Sequence, residues 1–396
     1  MLHLHLLRLL HKQKGETIIM ENREFNMLQV DFNSYNYYPT LRSRVAEIKG
    51  LRELTDDRKD KIIPLITLNN WLQYGFDRAM NNISSSFKDR PFFIDLPHQN
   101  DISIWNKMFA NSPESYYLRS DVNNYKEWMD FTETFPFAIP VVQFSSKQRA
   151  VTQQAIFFEK TKGKLAFRIR DYILDTPLVI NAISALQDVR NVIVFIDCQY
   201  IRDNFSYHQQ MCINTINQLR AQEPFLTICV LSTSFPISPA QFTNEYGEGV
   251  INILEHSLHT NIGGRNVAIY GDHSSIHSII YDEERGYAWS ARIDYPIETD
   301  WFILRKAGAK GDGYPELAKN IVSHFGHLFS SKCCWGEKMI LDASRGENHH
   351  KAPASWIAIR MNIHLSKQID YWNATSLNNT DSFDNSYEEM KDWSYE

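Results

Sequence analysis

The sequence predicts an α/β fold, a TIM-like (β/α)8 barrel with an added C-terminal hairpin and helix. Eight short runs rich in β-branched and aromatic residues recur along the chain, and some, such as Phe92-Phe93-Ile94, show no polar alternation. Runs of that kind are buried on both faces, which a parallel sheet covered by crossover helices provides and a half-solvated antiparallel sheet does not. Segments with helical spacing separate the runs, so strand and helix alternate. A doubly wound open α/β sheet would alternate in the same way and is the alternative, but no G-x-G-x-x-G follows the first strand and no Walker loop appears.

In order, the strands are NYYPTL, KIIPLITL, PFFIDL, FAIPVVQF, LAFRIR, NVIVFID, FLTICVLS and NVAIYGD. Between them the spacing of apolar positions predicts helices over 45–54, 73–87, 125–135, 148–160, 178–186 and 209–222. SARIDYPIETDWFILRK then reads as two more strands, 291–295 and 301–305, joined by a turn led by Pro296. Either these close the barrel in place of NVAIYGD or they decorate it. A helix is expected over 315–329, and SWIAIRMNIHLSKQIDYW has an amphipathic pattern. Three segments result: an N-terminal extension (1–32), one barrel-like domain (33–372) with decorations from about residue 273, and an acidic tail (373–396).

The two ends need separate arguments. The apolar run from Met1 to Leu10 is interrupted by His3, His5 and Arg8, has no cationic segment ahead of it, and is too short to span a bilayer. It reads as neither signal peptide nor membrane anchor. A translated leader is the plainer expectation, with Met20 the start and Lys14-Gly15-Glu16 encoded by a purine-rich ribosome-binding sequence; an amphipathic surface helix is the other. The tail is rich in Asn, Ser and acid, with Lys391 its only base, so disorder is expected there. Its load of Phe383, Tyr387, Trp393 and Tyr395 suits docking on a protein partner.

Composition bounds the function. A chain of 396 residues with 43% hydrophobic content buries a large core. Its net charge of -6 argues against a protein whose main task is neutralising nucleic-acid phosphates. The five cysteines (Cys198, Cys212, Cys229, Cys333, Cys334) are odd in number and show no C-x-x-C spacing, as expected of a reducing cytoplasm. His324, His327, Cys333, Cys334, His349 and His350 are ligand types that zinc accepts, but their spacing matches no ribbon or finger. No metal and no cofactor is expected.

In a parallel barrel the C-terminal strand ends converge on one face, where active sites normally lie. Here those ends are polar: Arg42 and Arg44 follow the first strand, Asp95 ends the third, Gln143 the fourth, Arg168 and Arg170 mark the fifth, Asp197 the sixth, and Asp272 the eighth. In the functional reading Asp95 and Asp197 are catalytic, as acid, base or metal ligands, while Arg42, Arg44, Gln143, Arg168, Arg170 and Asp272 bind an anionic substrate. In the structural reading the same residues form a salt-bridge lattice that caps the barrel. Gly271 to Ser275, GDHSS, reads as a tight turn whose aspartate caps backbone N–H groups rather than as a catalytic Asp-His pair.

The blocks YYPTLRSRVAEIKGLRELTDDRKDKIIPLITL, PFFIDLP, LAFRIRD, VIVFIDC, YGDHSS with ARIDYPIETDWFILRK, and FSSKCCWGEKMI ahead of GENHH follow one another in the order seen in the beta protein family. The chain resembles that family over about residues 36–365, although Cys333-Cys334 stand where a Ser-Trp-Gly-Asp type of turn is more typical. The family is named for the beta gene of the gop-beta-cll cassette of phage satellites. The resemblance implies a part in phage defence or in control of a neighbouring toxin, with a cassette protein as binding partner. It assigns no catalytic residue. A barrel enzyme, a hydrolase acting on a phosphorylated or nucleotide substrate, is the alternative function.

Overall fold

The computed structural model describes residues 28–69, 75–97, 118–279, 289–329, 333–347 and 350–389. Nine strands come first: β1 Tyr37–Arg42, β2 Leu65–Thr67, β3 Phe92–Asp95, β4 Ala138–Pro140, β5 Leu165–Ile169, β6 Val192–Tyr200, β7 Thr227–Thr233, β8 Glu248–Asn252 and β9 Ile269–Asp272. All but β8 pair in parallel in the order β4-β3-β2-β1-β9-β7-β6-β5. The two outer strands of that order also meet, because Val141 bridges Ala166 and the Val142 N–H donates to the Ala166 carbonyl at 2.8 Å. The result is a nearly closed α/β barrel of eight parallel strands rather than a sheet with two free edges.

Helices α1 Val45–Arg52, α2 Asp56–Lys59, α3 Gly75–Phe87, α4 Lys126–Glu133, α5 Gln148–Lys162, α6 Asp175–Ile183, α7 Phe205–Gln222 and α8 Leu254–Asn261 lie between the strands. The expected helices are present with shifted ends. The one expected over 178–186 starts earlier, at Asp175, whose carboxylate accepts the N–H groups of Arg170 and Asp171, each at 2.9 Å. Residues 73 and 74, expected to open α3, lie outside the described residues.

NVAIYGD closes the barrel, as β9. The later hairpin, β10 Ala291–Pro296 and β11 Asp300–Lys306, joins β8 in a separate antiparallel sheet of order β10-β11-β8. With α9 Tyr314–Phe325, α10 Trp335–Ser344 and α11 Pro353–Glu389 it encloses a second core that includes Tyr295, Ile321, Ile340 and Ile363. Helix α11 extends across 373–389, the first part of the segment expected to be irregular. Near its start it crosses α1 closely: Asn362 Nδ2 donates to the Gly50 carbonyl at 3.1 Å, and a Cβ at Gly50 would lie 3.0 Å from the Ala358 carbonyl oxygen.

Side chains alternate across the barrel wall with period two. Tyr38, Leu65, Phe93, Ile139, Ala166, Ile193, Phe195, Cys229, Leu231 and Ile269 share the interior cluster. Their neighbours Tyr37, Ile66, Ile94, Phe167, Val194, Val230 and Tyr270 pack in the outer helix layer. Both faces are apolar, which is why the strands read as continuous hydrophobic runs. The rings of Phe93 and Phe195 meet edge to face at 5.0 Å, and Tyr38 packs on Phe195 at 5.7 Å; such pairs add roughly 0.5–1.5 kcal/mol each beyond area burial. Phe32 joins this interior cluster, 5.6 Å from Phe93, so the barrel core draws on the end of the segment assigned to the N-terminal extension. Residues 1–27, with the expected leader and the alternative start at Met20, lie outside the described residues.

No helix among the described residues is long and apolar enough to cross a membrane. Nor do three or more His, Cys, Asp or Glu side chains gather as a metal site among them. His349 lies outside that description.

Candidate functional site at the barrel mouth

The alternation that fills the barrel also decides what reaches its mouth. Continuing the inward positions past the apolar layers brings Arg42, Thr67, Asp95, Gln143, Arg168, Arg170, Asp197 and His273 to the C-terminal strand ends. Arg168 is the hub. Its Nε and Nη2 donate to Asp197 Oδ2 at 3.0 and 2.8 Å, and its Nη1 donates to Thr67 Oγ1 at 3.0 Å and to Asp95 Oδ2 at 3.1 Å. Arg170 Nη2 joins it on Asp95 Oδ2 at 2.8 Å.

Both carboxylates are filled. Asp95 Oδ1 accepts from the Leu96 N–H at 2.8 Å and from Gln143 Nε2 at 3.0 Å. Asp197 Oδ1 accepts from the Gln199 N–H and bonds His273 Nε2, both at 2.9 Å. Each aspartate therefore receives four hydrogen bonds, the full capacity of an ionised carboxylate. Burial alone would raise their pKa values. Instead the charges of Arg170 and Arg168, aided by Gln143, hold Asp95 below the ordinary range, and His273 and Arg168 hold Asp197 far below it. For Arg168, burial is outweighed by the two aspartates and its pKa is raised.

Above this lattice lies a narrow cleft with about 40 Å³ open to water, lined by Arg42, Glu47, Thr67, Arg168, Arg170, Asp197, Gln199, His273 and His277 among others. Arg42 Nη2 donates to the carbonyls of His277 and Ser278 at 2.7 and 2.8 Å, tying β1 to the loop after β9. The Glu47 carboxylate accepts the Arg42 backbone N–H, and burial raises its pKa against the pull of Arg42 and Arg44. Gln199 reaches the cleft through a bulge between Asp197 and Tyr200, with φ at +54°. Ser274 and Ser275 also have positive φ, 53° and 60°, and turn the chain sharply behind His273. His277 packs at a tilt on Tyr200, with ring centroids 4.4 Å apart, and burial, helped by Arg42 and His273, lowers its pKa to about 4. Arg170 uses one guanidinium nitrogen on Asp95, and the buried Thr40 hydroxyl, also on the cleft wall, finds no partner among the described residues.

Of the residues singled out in the sequence, Asp95, Gln143, Arg168, Arg170 and Asp197 come together directly, and Arg42 shares their cleft. Arg44 precedes α1, half-buried beside Glu47, and does not line the cleft. Asp272 is on the opposite face of its strand. There it accepts from Tyr37 Oη at 2.7 Å, Tyr270 Oη at 3.2 Å and the Ser274 N–H at 2.8 Å, and it pairs with His364 Nε2 of α11 at 2.8 Å. It caps the turn, as GDHSS suggested, while the histidine beside it pairs with an aspartate from another strand. His273 and His277 were missed. Strand parity was the available signal: with Ile269 facing inward, Gly271 and His273 face inward too, and Asp272 does not.

A family model described as Beta protein matches residues 37–370. Protein beta of Enterobacteria phage P4 is 39% identical over 352 residues, covering 87% of this chain and 95% of that protein. No solved structure matches the chain.

Proposed function

The chain belongs to the Beta protein family, and from that premise we propose that it serves phage defence or toxin control in a mobile element by recognising a small anionic ligand at the barrel mouth. In this reading it works in the cytoplasm as the binding partner of a neighbouring toxin or other cassette protein, and the ligand is phosphorylated or a nucleotide. The barrel itself we read as the TIM type, since its strands follow one another around the wall in chain order and its inward residues form layers.

One observation carries the anion: the guanidinium groups of Arg42, Arg168 and Arg170 line the cleft together with Asp197 and Glu47, and Asp95, 1% exposed, lies off the lining beneath Arg168 and Arg170. The carboxylates hold the cations in place, and Arg170, which uses one guanidinium nitrogen on Asp95, is the fork best placed to take a phosphate or carboxylate. Asp95 and Asp197, ionised and with every lone pair engaged, serve as anchors rather than as acid, base or metal ligands. Gln143 supports Asp95, and Asp272 and Arg44 act from outside the cleft.

Titration calorimetry of the full chain with inorganic phosphate and a panel of nucleoside phosphates tests this. Arg170→Gln is expected to weaken binding about 10- to 100-fold, the loss of a charge-assisted hydrogen bond, and to abolish protection in phage plating assays on cells that carry the native gene neighbourhood. Failure of the wild type to bind any of these anions, or full protection by Arg170→Gln, would sink the proposal. The pairing of His273 with Asp197 favours a second reading, in which the same cleft is the active site of a hydrolase.

A further inference from the structure

We infer that His273 is the general base of a phosphate-ester hydrolase centred on this cleft. The inference rests on the reading of the mouth as an anion site and names what is done there. Asp197 Oδ1 engages the Nε2 side of the imidazole, and because Asp197 is ionised it takes that position as acceptor, leaving Nδ1 as the ring's basic nitrogen. The ring lines the cleft, so Nδ1 belongs to a surface that a bound ligand shares.

The orientation of this ring is fixed from several sides. The His273 N–H donates to the Ser232 carbonyl at 3.2 Å. Behind it, Asp272 is pinned by Tyr37, Tyr270 and His364, and ahead of it the two serines of positive φ set the turn. Left-handed backbone at consecutive non-glycine residues is strained and persists where surrounding contacts over-determine it. The two oxygens of Asp197 divide the work: one holds the base, the other holds Arg168. A single carboxylate thus sets the distance between a proton acceptor and a cation for phosphoryl oxygens.

The substrate class follows from what surrounds the base. The positive charge of Arg170, backed by Arg42 and Arg168 in the same wall, suits the charge that develops on the non-bridging oxygens of a phosphoryl group in its transition state. In the step itself the water oxygen bonds to phosphorus as His273 Nδ1 takes one of its protons. The bond from phosphorus to the leaving oxygen breaks on the opposite face, that oxygen takes its proton from solvent, and the imidazolium returns its proton to solvent. A diester and water become a monoester and an alcohol, with no change in oxidation state and neutral His273 restored.

The test uses the full chain, with bis(4-nitrophenyl) phosphate and 4-nitrophenyl phosphate as probes of turnover and inorganic phosphate as the probe of binding. The wild type is expected to release nitrophenolate from at least one of them. His273→Asn and His273→Gln are expected to lower kcat about 100-fold or more, the usual size of general-base catalysis, while phosphate affinity and KM stay unchanged. Retained phosphate binding shows that each variant is folded. Phosphate binding by the wild type with no hydrolysis above the His273→Asn level would overturn the inference and leave the anion-site reading standing. Absence of phosphate binding by the wild type would remove both.

Discussion

Asp197 and His273 are 76 residues apart and meet at 2.9 Å across the mouth, reaching over β7 from strands on either side of it. The same carboxylate holds Arg168, so three segments depend on one buried anion. Asp197→Asn keeps the volume and removes the charge, leaving Arg168 short of a partner. It is expected to cost about 3–5 kcal/mol, the usual penalty for breaking a buried ion pair. The midpoint of guanidinium chloride unfolding measures it.

Acid should unfold the protein through this lattice. The folded-state pKa values of Asp95 and Asp197 are depressed, so their contribution is fully present above the unfolded carboxyl value, about 3.9. It is lost as pH falls through the folded values. The wild type should lose stability steeply below about pH 4, and Asp95→Asn should show a shallower slope there when unfolding free energy is followed against pH.

Glu255 works in the opposite sense. Burial raises its carboxyl to about 7 despite hydrogen bonds from Ser234. Its folded pKa exceeds the unfolded one, so its contribution is full below about pH 4.5 and is lost as pH rises through 7. Glu255→Gln should therefore gain on the wild type between pH 5 and pH 8, by up to about 3 kcal/mol, in thermal or chemical unfolding.

Gly271 fills a different requirement. A Cβ there would lie 2.4 Å from Leu231 Cδ2, 2.7 Å from the Tyr38 carbonyl oxygen and 2.9 Å from Cys229 Sγ, inside the packed barrel. Gly271→Ala is expected to cost about 1–3 kcal/mol through overpacking, read from the denaturation midpoint. Gly346→Ala, with open space around its Cβ but a positive φ of 80°, should cost only the backbone strain.

The barrel strands were legible because both of their faces are buried, which leaves an unbroken apolar signal over runs such as Val192 to Ile196. Strand β8 was not. Glu248-Gly249-Val250-Ile251-Asn252 has one buried residue, Ile251, and its partner β11 is about fifty residues away, so nothing local marks it. Helix α8 was hidden by its histidines, since His256 and His259 are polar by type yet buried here against Trp372. The mouth was legible to the extent that charges ended strands. Asp272 looked equivalent to Asp95 and Asp197 because residue type was read without parity, and one position along a strand exchanges the inside of a barrel for the outside.

Helix α11 lies against α1 and carries His364 to Asp272, so the last described helix fastens the first barrel strand and the last. Chains leave the ribosome in order, and every barrel strand emerges before that helix does. Until then Asp272 faces Tyr37 and Tyr270 without its imidazole, and the seam between β1 and β9 is unclamped. A nascent chain arrested ahead of Pro353 should remain open to proteolysis along that seam, and release of the helix should close it, making the emergence of that helix the step that commits the barrel.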